Sequence, residues 1–103
     1  MDYNIVVSKL AEFDILNIKK YIKYILLNEY SANRIVEDII KRIFDLNTFP
    51  KKCAVFITLE GKEIRRLTVE KYNVYYFIDE NNSIINILRV VYGGVDISQI
   101  AIS

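Results

Sequence analysis

Tyr72-Asn73-Val74-Tyr75-Tyr76-Phe77-Ile78-Asp79-Glu80-Asn81-Asn82-Ser83-Ile84-Ile85-Asn86-Ile87-Leu88-Arg89-Val90-Val91-Tyr92 is the stretch on which the fold turns. Its two halves are rich in β-branched and aromatic residues, which suit a pleated, buried surface, and the polar turn Asp79–Ser83 separates them. That pattern predicts a hairpin with strands at Tyr72–Asp79 and Ile84–Tyr92. Apolar and aromatic side chains fall on both faces, Val74, Tyr76 and Ile78 on one and Tyr75 and Phe77 on the other. A strand apolar on both faces belongs in the middle of a sheet, covered twice.

Working outward, alternation continues upstream through Glu63–Val69 and Cys53–Thr58, with Gly61 in the turn between them. Downstream, Gly93-Gly94 breaks the last strand, and Val95-Asp96-Ile97-Ser98-Gln99-Ile100 reads as a tail that turns back through one helical turn. Before Pro50 the period is helical. Leu10, Phe13, Ile18, Tyr21, Ile22 and Ile25 recur at three- and four-residue steps behind Ser8, a candidate N-cap, and this helix should run to about Asn28. A second helix is predicted from Ser31, whose hydroxyl would cap it, through Ile35, Ile39, Ile43 and Leu46. The link at Asn28-Glu29-Tyr30 is short enough to fold the helices back as an antiparallel hairpin. Tyr3–Val7 has the composition of a first strand. The class is therefore α+β: an N-terminal strand, a two-helix hairpin, then a three- to four-stranded antiparallel sheet. The helices cover one face of that sheet, and the other must meet something else.

A chain of 103 residues makes one domain, expected to span residues 1–103. Hydrophobic residues are 52% of it, with one Pro and three Gly, so it is a packed globule and not a linker or disordered segment. No apolar run approaches the roughly 20 residues of a membrane span, and the N-terminus lacks the pattern of an export signal; a cytoplasmic protein without membrane contact is expected. Cys53 is the only cysteine and sits in an apolar run, where it serves as a small hydrophobe. The absence of histidine removes the commonest general base and zinc ligand, so any catalysis must use carboxylates, Lys, Arg or Tyr, and neither metal nor cofactor is expected. The net charge of +1 hides a local excess: Lys51, Lys52, Lys62, Arg65, Arg66 and Lys71 face only Glu60, Glu63 and Glu70 within Lys51–Lys71. That patch is weak for a protein that holds nucleic acid by counterion release.

From Val6 to Ile100 the chain resembles the RelE/ParE toxins of type II toxin–antitoxin systems. The likeness is carried by Ala11-Glu12-Phe13-Asp14-Ile15 with Ile18 and Tyr21-Ile22, by Leu46 with Phe49-Pro50, by Ile64-Arg65-Arg66-Leu67-Thr68-Val69 with Tyr72 and Tyr76, and by Ile87-Leu88-Arg89-Val90-Val91-Tyr92-Gly93. Arg89–Gly93 and the following Asp96 bring it closer to the ParE branch. The resemblance implies growth inhibition, plasmid stabilization, and neutralisation by a cognate antitoxin in a hetero-oligomer. ParE-like toxins poison DNA gyrase without a nuclease site of their own. RelE-like toxins cut mRNA on the ribosome with a cluster of cations and a tyrosine, independently of metal. This sequence fills the nuclease pattern poorly, with Asn73 where an Arg is common and Gly93-Gly94-Val95 where basic residues or a His stand. The leading expectation is a non-enzymatic gyrase inhibitor. The alternatives are a ribosome-dependent endoribonuclease using Arg65, Lys71, Arg89 and Tyr92, or a degenerate toxin that only binds antitoxin.

Arg65, Arg89, Tyr72, Tyr92 and Lys62 are the candidate partner contacts. Each also has a structural reading. Arg65 and Arg66 are adjacent on a strand and point to opposite faces, so one site can use only one of them, and Arg65 is the family-matched residue. It could instead be an edge charge paired with Glu63 or Glu70. Arg89 interrupts an apolar strand, where a charge is costly unless paired or on a binding face; its structural reading is a buried ion pair with Asp96 or Asp14. Tyr72, Tyr76 and Tyr92 could stack on a ligand or fill cross-strand pairs, Lys51, Lys52, Lys62 and Lys71 could simply be solvated, and Asp14 serves structure.

Overall fold

The computed structural model describes residues 2–102. In chain order the elements are β1 (Asn4–Val7), α1 (Lys9–Lys20), α2 (Glu29–Phe44), β2 (Val55–Leu59), β3 (Lys62–Val69), β4 (Tyr72–Asp79) and β5 (Ile84–Tyr92). The predicted central hairpin is reproduced to the residue. The sheet has five strands in the order β1-β5-β4-β3-β2, and β1 lies parallel to β5 with Asn4 opposite Ile84 and Val7 opposite Ile87. The sheet is therefore mixed and larger than the antiparallel meander read from the sequence. Composition marks a strand but carries no record of its neighbour, and the long helical crossover lets the first strand join beside the last.

Ser8 caps α1, its Oγ accepting from the Ala11 amide at 3.0 Å. The cap of α2 is Asn28 and not Ser31: the extended Asn28 accepts from the Ser31 amide at 2.9 Å, and the helix begins two residues before Ser31. A donor at the third helical position satisfied by an Asn side chain is ordinary N-cap geometry, and it made Ser31 the recipient. Between the helices the chain widens into a π-helical turn at Tyr21–Ile25. The second strand starts at Val55 rather than Cys53, because Pro50–Lys52 forms a 3-10 turn first.

The helices cover one face of the sheet. Ile18 and Ile22 from the first helical segment, Ala32, Ile39 and Ile43 from α2, and Leu67, Val69, Val74, Tyr76, Ile85, Ile87 and Val90 from the strands form the larger core. The second face is partly covered by the C-terminal tail. After a turn at Ile97–Gln99, Ile97 and Ile102 bury themselves on Ile64, Tyr75 and Leu88. The covering that the two-faced strands demanded is thus supplied, in part, by the chain itself. None of the described helices is long and apolar enough to cross a membrane.

Candidate functional site

Arg89 lies where the sheet changes partners. β1 stops at Val7; the Ser8 amide donates to the Ile87 carbonyl and the Ser8 hydroxyl to that of Leu88. Beyond that point no strand among the described residues covers the edge of β5, and a carboxylate from α1 takes over. Asp14 Oδ2 accepts from the Val90 amide at 2.9 Å and from Arg89 Nε at 2.7 Å, and Oδ1 accepts from Arg89 Nη2 at 2.8 Å. The register between β4 and β5 slips here, with Tyr75 opposite Arg89 and Tyr76 opposite Ile87, and a bulge of this kind re-aims a side chain. Arg89 Nη1 reaches the Ala101 carbonyl at 2.8 Å, so one guanidinium ties the first helix to the tail. The side chains of Arg89 and Asp14 are only 16% and 11% exposed. The hydrogen bonds that the guanidinium donates to the Asp14 carboxylate hold its pKa above even the usual range. Of the readings of Arg89, the geometry forms the ion pair with Asp14; Asp96 instead accepts from the Ser98 amide and hydroxyl, which lowers its own pKa.

Arg65 faces the helix side of the sheet and its Nη1 donates to the Cys53 carbonyl at 2.6 Å. Beside it, Tyr76 donates its hydroxyl to the Pro50 carbonyl at 2.7 Å, and burial first, then the neighbouring Cys53 thiol, pushes the phenol well above its ordinary pKa. Together they pin the turn before β2 to the sheet. Neither Glu63 nor Glu70 pairs with Arg65; Glu70 takes Arg34 at 3.3 Å. Arg65 also borders a hollow of about 440 Å³ with Lys51, Lys62, Glu63, Asp79 and Glu80. Lys51 pairs with Glu80 at 3.2 Å, and Lys62 sits 5.1 Å from the centre of the Phe77 ring. Three cations against three carboxylates leave this hollow no net field for a phosphate.

At the opposite end of the sheet, Tyr72 and Tyr92 stand in register with their rings edge to face, centroids 6.2 Å apart. Burial, with the neighbouring tyrosines and Glu70, raises the Tyr72 pKa. These rings, with Ile18, Tyr21, Leu26 and Lys71, line a mainly apolar hollow of about 630 Å³. Gly93 turns the chain here: its amide donates to the Lys71 carbonyl at 2.8 Å, and a side chain at 93 would begin 3.3 Å from that oxygen. Arg65 lies opposite Tyr76 and Tyr92 opposite Tyr72, four residues along β4, or about 13 Å. Arg65, Lys71, Arg89 and Tyr92 are therefore not brought together. The candidates divide into Arg65 with Lys62 at one end, Tyr72, Tyr92 and Lys71 at the other, and Arg89 locked at the edge.

Two features escaped the sequence. Arg66, the neighbour set aside in favour of Arg65, projects on the tail-covered face, its guanidinium 4.1 Å from the Phe56 ring centre, and Phe56 in turn packs 5.9 Å from Tyr75. On the same face Thr68 donates to Asn73, and Asn73 donates to the Tyr75 hydroxyl at 3.4 Å, a string of neutral groups. Strand alternation separated Arg65 from Arg66 but did not say which lay over aromatics. The second feature is the tip of the helix hairpin, where Tyr21, Tyr24, Ile25, Leu26, Leu27 and Tyr30 are each more than half exposed. Its signal was in plain view: a helix link that reads Tyr-Ile-Leu-Leu-Asn-Glu-Tyr where polar turn residues are usual.

The comparisons agree with this architecture. Residues 5–96 match the family model described as the ParE toxin of type II toxin–antitoxin system, parDE. No curated protein matches the chain by sequence. Among solved structures, it is similar to a chain of the chromosomal ParDE system from P. aeruginosa, at TM-score 0.73 and 19% identity over 87% of this chain and 95% of that one. It is also similar to a chain of the RelBE2 toxin–antitoxin complex from Mycobacterium tuberculosis, at TM-score 0.68 and 19% identity over 89% and 99%. A chain of the archaeal RelE–RelB complex from Pyrococcus horikoshii matches at TM-score 0.64 and 17% identity over 93% and 100%. At these identities the structures speak for the fold, while the family model, spanning most of the chain, speaks for descent. The chain belongs to the ParE toxin family of type II toxin–antitoxin systems.

Proposed function

We propose that this toxin arrests growth by binding a protein, DNA gyrase, and that a cognate antitoxin neutralises it in a hetero-oligomer. One observation carries the reading: the candidate nuclease cations are either occupied or too far apart to share one substrate. Metal-independent RNA cleavage requires a base at the ribose hydroxyl, an acid at the leaving oxygen and cations around the phosphate, all within hydrogen-bond reach of one substrate. Arg89 is committed to Asp14 and the tail, Arg65 to the Cys53 carbonyl, and Lys71 and Tyr92 sit at the far end of the sheet from Arg65. Tyr72 and Tyr76 are pushed away from the neutral range that general acid–base catalysis favours. An inhibitor that works by contact needs none of this machinery, only a preformed surface.

The antitoxin is supported by the company the fold keeps, since the RelBE2 and archaeal RelE–RelB structures are complexes with antitoxins. Arg66, exposed over Phe56 and with no carboxylate partner among the described residues, is the observation that favours the alternative, a ribosome-dependent nuclease. Pulse-labelling DNA and protein synthesis in the first minutes after inducing the toxin alone separates the two. Gyrase poisoning stops DNA synthesis first. An early fall in translation with DNA synthesis intact would refute it.

A further inference from the structure

The hairpin tip inverts the usual distribution of side chains. Within Tyr21–Tyr30 six large apolar or aromatic residues are 51 to 82% exposed, Leu27 most of all. Leu27 is also held at φ 53°, the left-handed conformation in which a branched side chain is strained. The backbone shows why that conformation is needed: the Asn28 amide bonds the Ile22 carbonyl and Leu26 the Tyr21 carbonyl, closing the helix in the manner that ordinarily takes Gly or Asn. A leucine there is poor for the isolated fold twice over, in backbone strain and in exposed hydrocarbon. Strain and exposed apolar surface coinciding at one point are the marks of a binding surface.

Charge and shape narrow the occupant. Around the tip the carboxylates are taken: Glu29 by Lys23, Glu70 by Arg34, Asp14 by Arg89. Lys19, Lys20 and Lys71 have no carboxylate partner among the described residues, so the surface is apolar with a positive surplus. A second copy would set these lysines against their own images. Leu26, Lys71 and Tyr72 also line two adjoining hollows, of about 630 and 260 Å³. A flat bilayer would leave both empty, whereas side chains of a protein can fill them. The sheet face is meanwhile partly covered by the tail, which is latched through Arg89, whereas the tip is a large apolar surface open in the free chain, the form that acts on a target.

We propose that the tip Tyr21–Tyr30, with the hollows beside Lys71 and Tyr72, is where the toxin seizes its target protein, on a surface that presents bulky apolar side chains among carboxylates. The proposal rests on the protein-inhibitor reading above. Two variants test it: Leu27→Asn with Tyr24→Ser, which suits the left-handed backbone and removes the apolar anchors, and Lys19→Glu with Lys20→Glu, which reverses the charge. Both should melt no lower than the wild type. The first should weaken binding to purified DNA gyrase roughly 30-fold or more, as loss of buried anchors does, and abolish growth arrest; the second should weaken binding less and in a salt-dependent way. Variants that fold and arrest growth like the wild type would overturn the proposal. So would a wild type that self-associates through the tip, or that sediments with phosphatidylglycerol vesicles and not with gyrase. A wild type that arrests growth by cutting mRNA while sparing gyrase would instead remove the gyrase reading, and the growth phenotype of the variants would still judge the tip.

Discussion

Two places along the first helical segment break the ordinary rule of apolar inside and charged outside, in opposite directions. At Asp14 a carboxylate is buried against the sheet edge; seven to sixteen residues later, Ile22 aside, tyrosines, leucines and an isoleucine stand in solvent. The buried charge is fully employed, with a backbone amide and two guanidinium nitrogens on its oxygens. Apart from Tyr24, whose ring centre lies 5.2 Å from the Lys23 ammonium, the exposed apolar groups show no such employment among the described residues. If the tip is the docking surface proposed above, the contrast separates residues kept for the fold from residues kept for a partner, with Arg89, the candidate most suggestive of chemistry in the sequence, on the first side and Leu27 on the second.

Removing the buried carboxylate should have the largest effect. Asp14→Ala strands the Arg89 guanidinium and the Val90 amide together and should lower stability by about 3 kcal/mol or more in urea denaturation. Adding Arg89→Met to that variant should recover a good part of the loss, because the uncompensated charge goes with it; a double variant no more stable than the single one would show that the latch is not an ion pair in energetic terms. If the Asp14 variants instead retained full stability but lost growth arrest, the division between fold and partner residues would collapse.

A smaller effect belongs to Tyr76. Tyr76→Phe forfeits the hydrogen bond to Pro50 and should cost about 1 kcal/mol. It should also change the response to alkali. A phenol whose folded pKa is raised keeps its proton when the unfolded chain loses it, so its contribution is complete below the ordinary value of 10 and fades as pH rises beyond it. Wild-type stability should fall between pH 9 and pH 11 more steeply than that of the Phe variant, which chemical denaturation across that range would register. The smallest effect has the opposite sign. Leu27→Gly relieves the left-handed strain and should raise stability by about 0.5–1 kcal/mol while weakening growth arrest. A gain in stability with undiminished arrest would leave the tip without a purpose.

Much of this was legible before any coordinates. The two central strands are marked by β-branched and aromatic runs around a polar turn, and both helices by three- and four-residue periodicity, because these patterns follow from backbone geometry alone. The caps were less legible: Asn28 and Ser31 are both good cap residues, and only the path of the chain into α2 chose between them. The candidate site was least so. Arg65 and Arg66 differ by one position in strand parity, yet one is spent on a carbonyl beneath the sheet and the other lies over an aromatic ring above it.

The local patterns of the sequence determined the class of fold, the need for a second covering of the sheet, and the short list of charged residues that had to be explained. They could not determine that β1 would run beside β5, that the tail would supply part of the missing cover, or that Asp14 rather than Asp96 would meet Arg89. Those choices join elements that are not neighbours in the chain, or select one of several equivalent carboxylates, and so depend on how the packed elements present their edges to one another. Periodicity is written into neighbouring residues, whereas the pairing of a charge is settled only when distant surfaces meet.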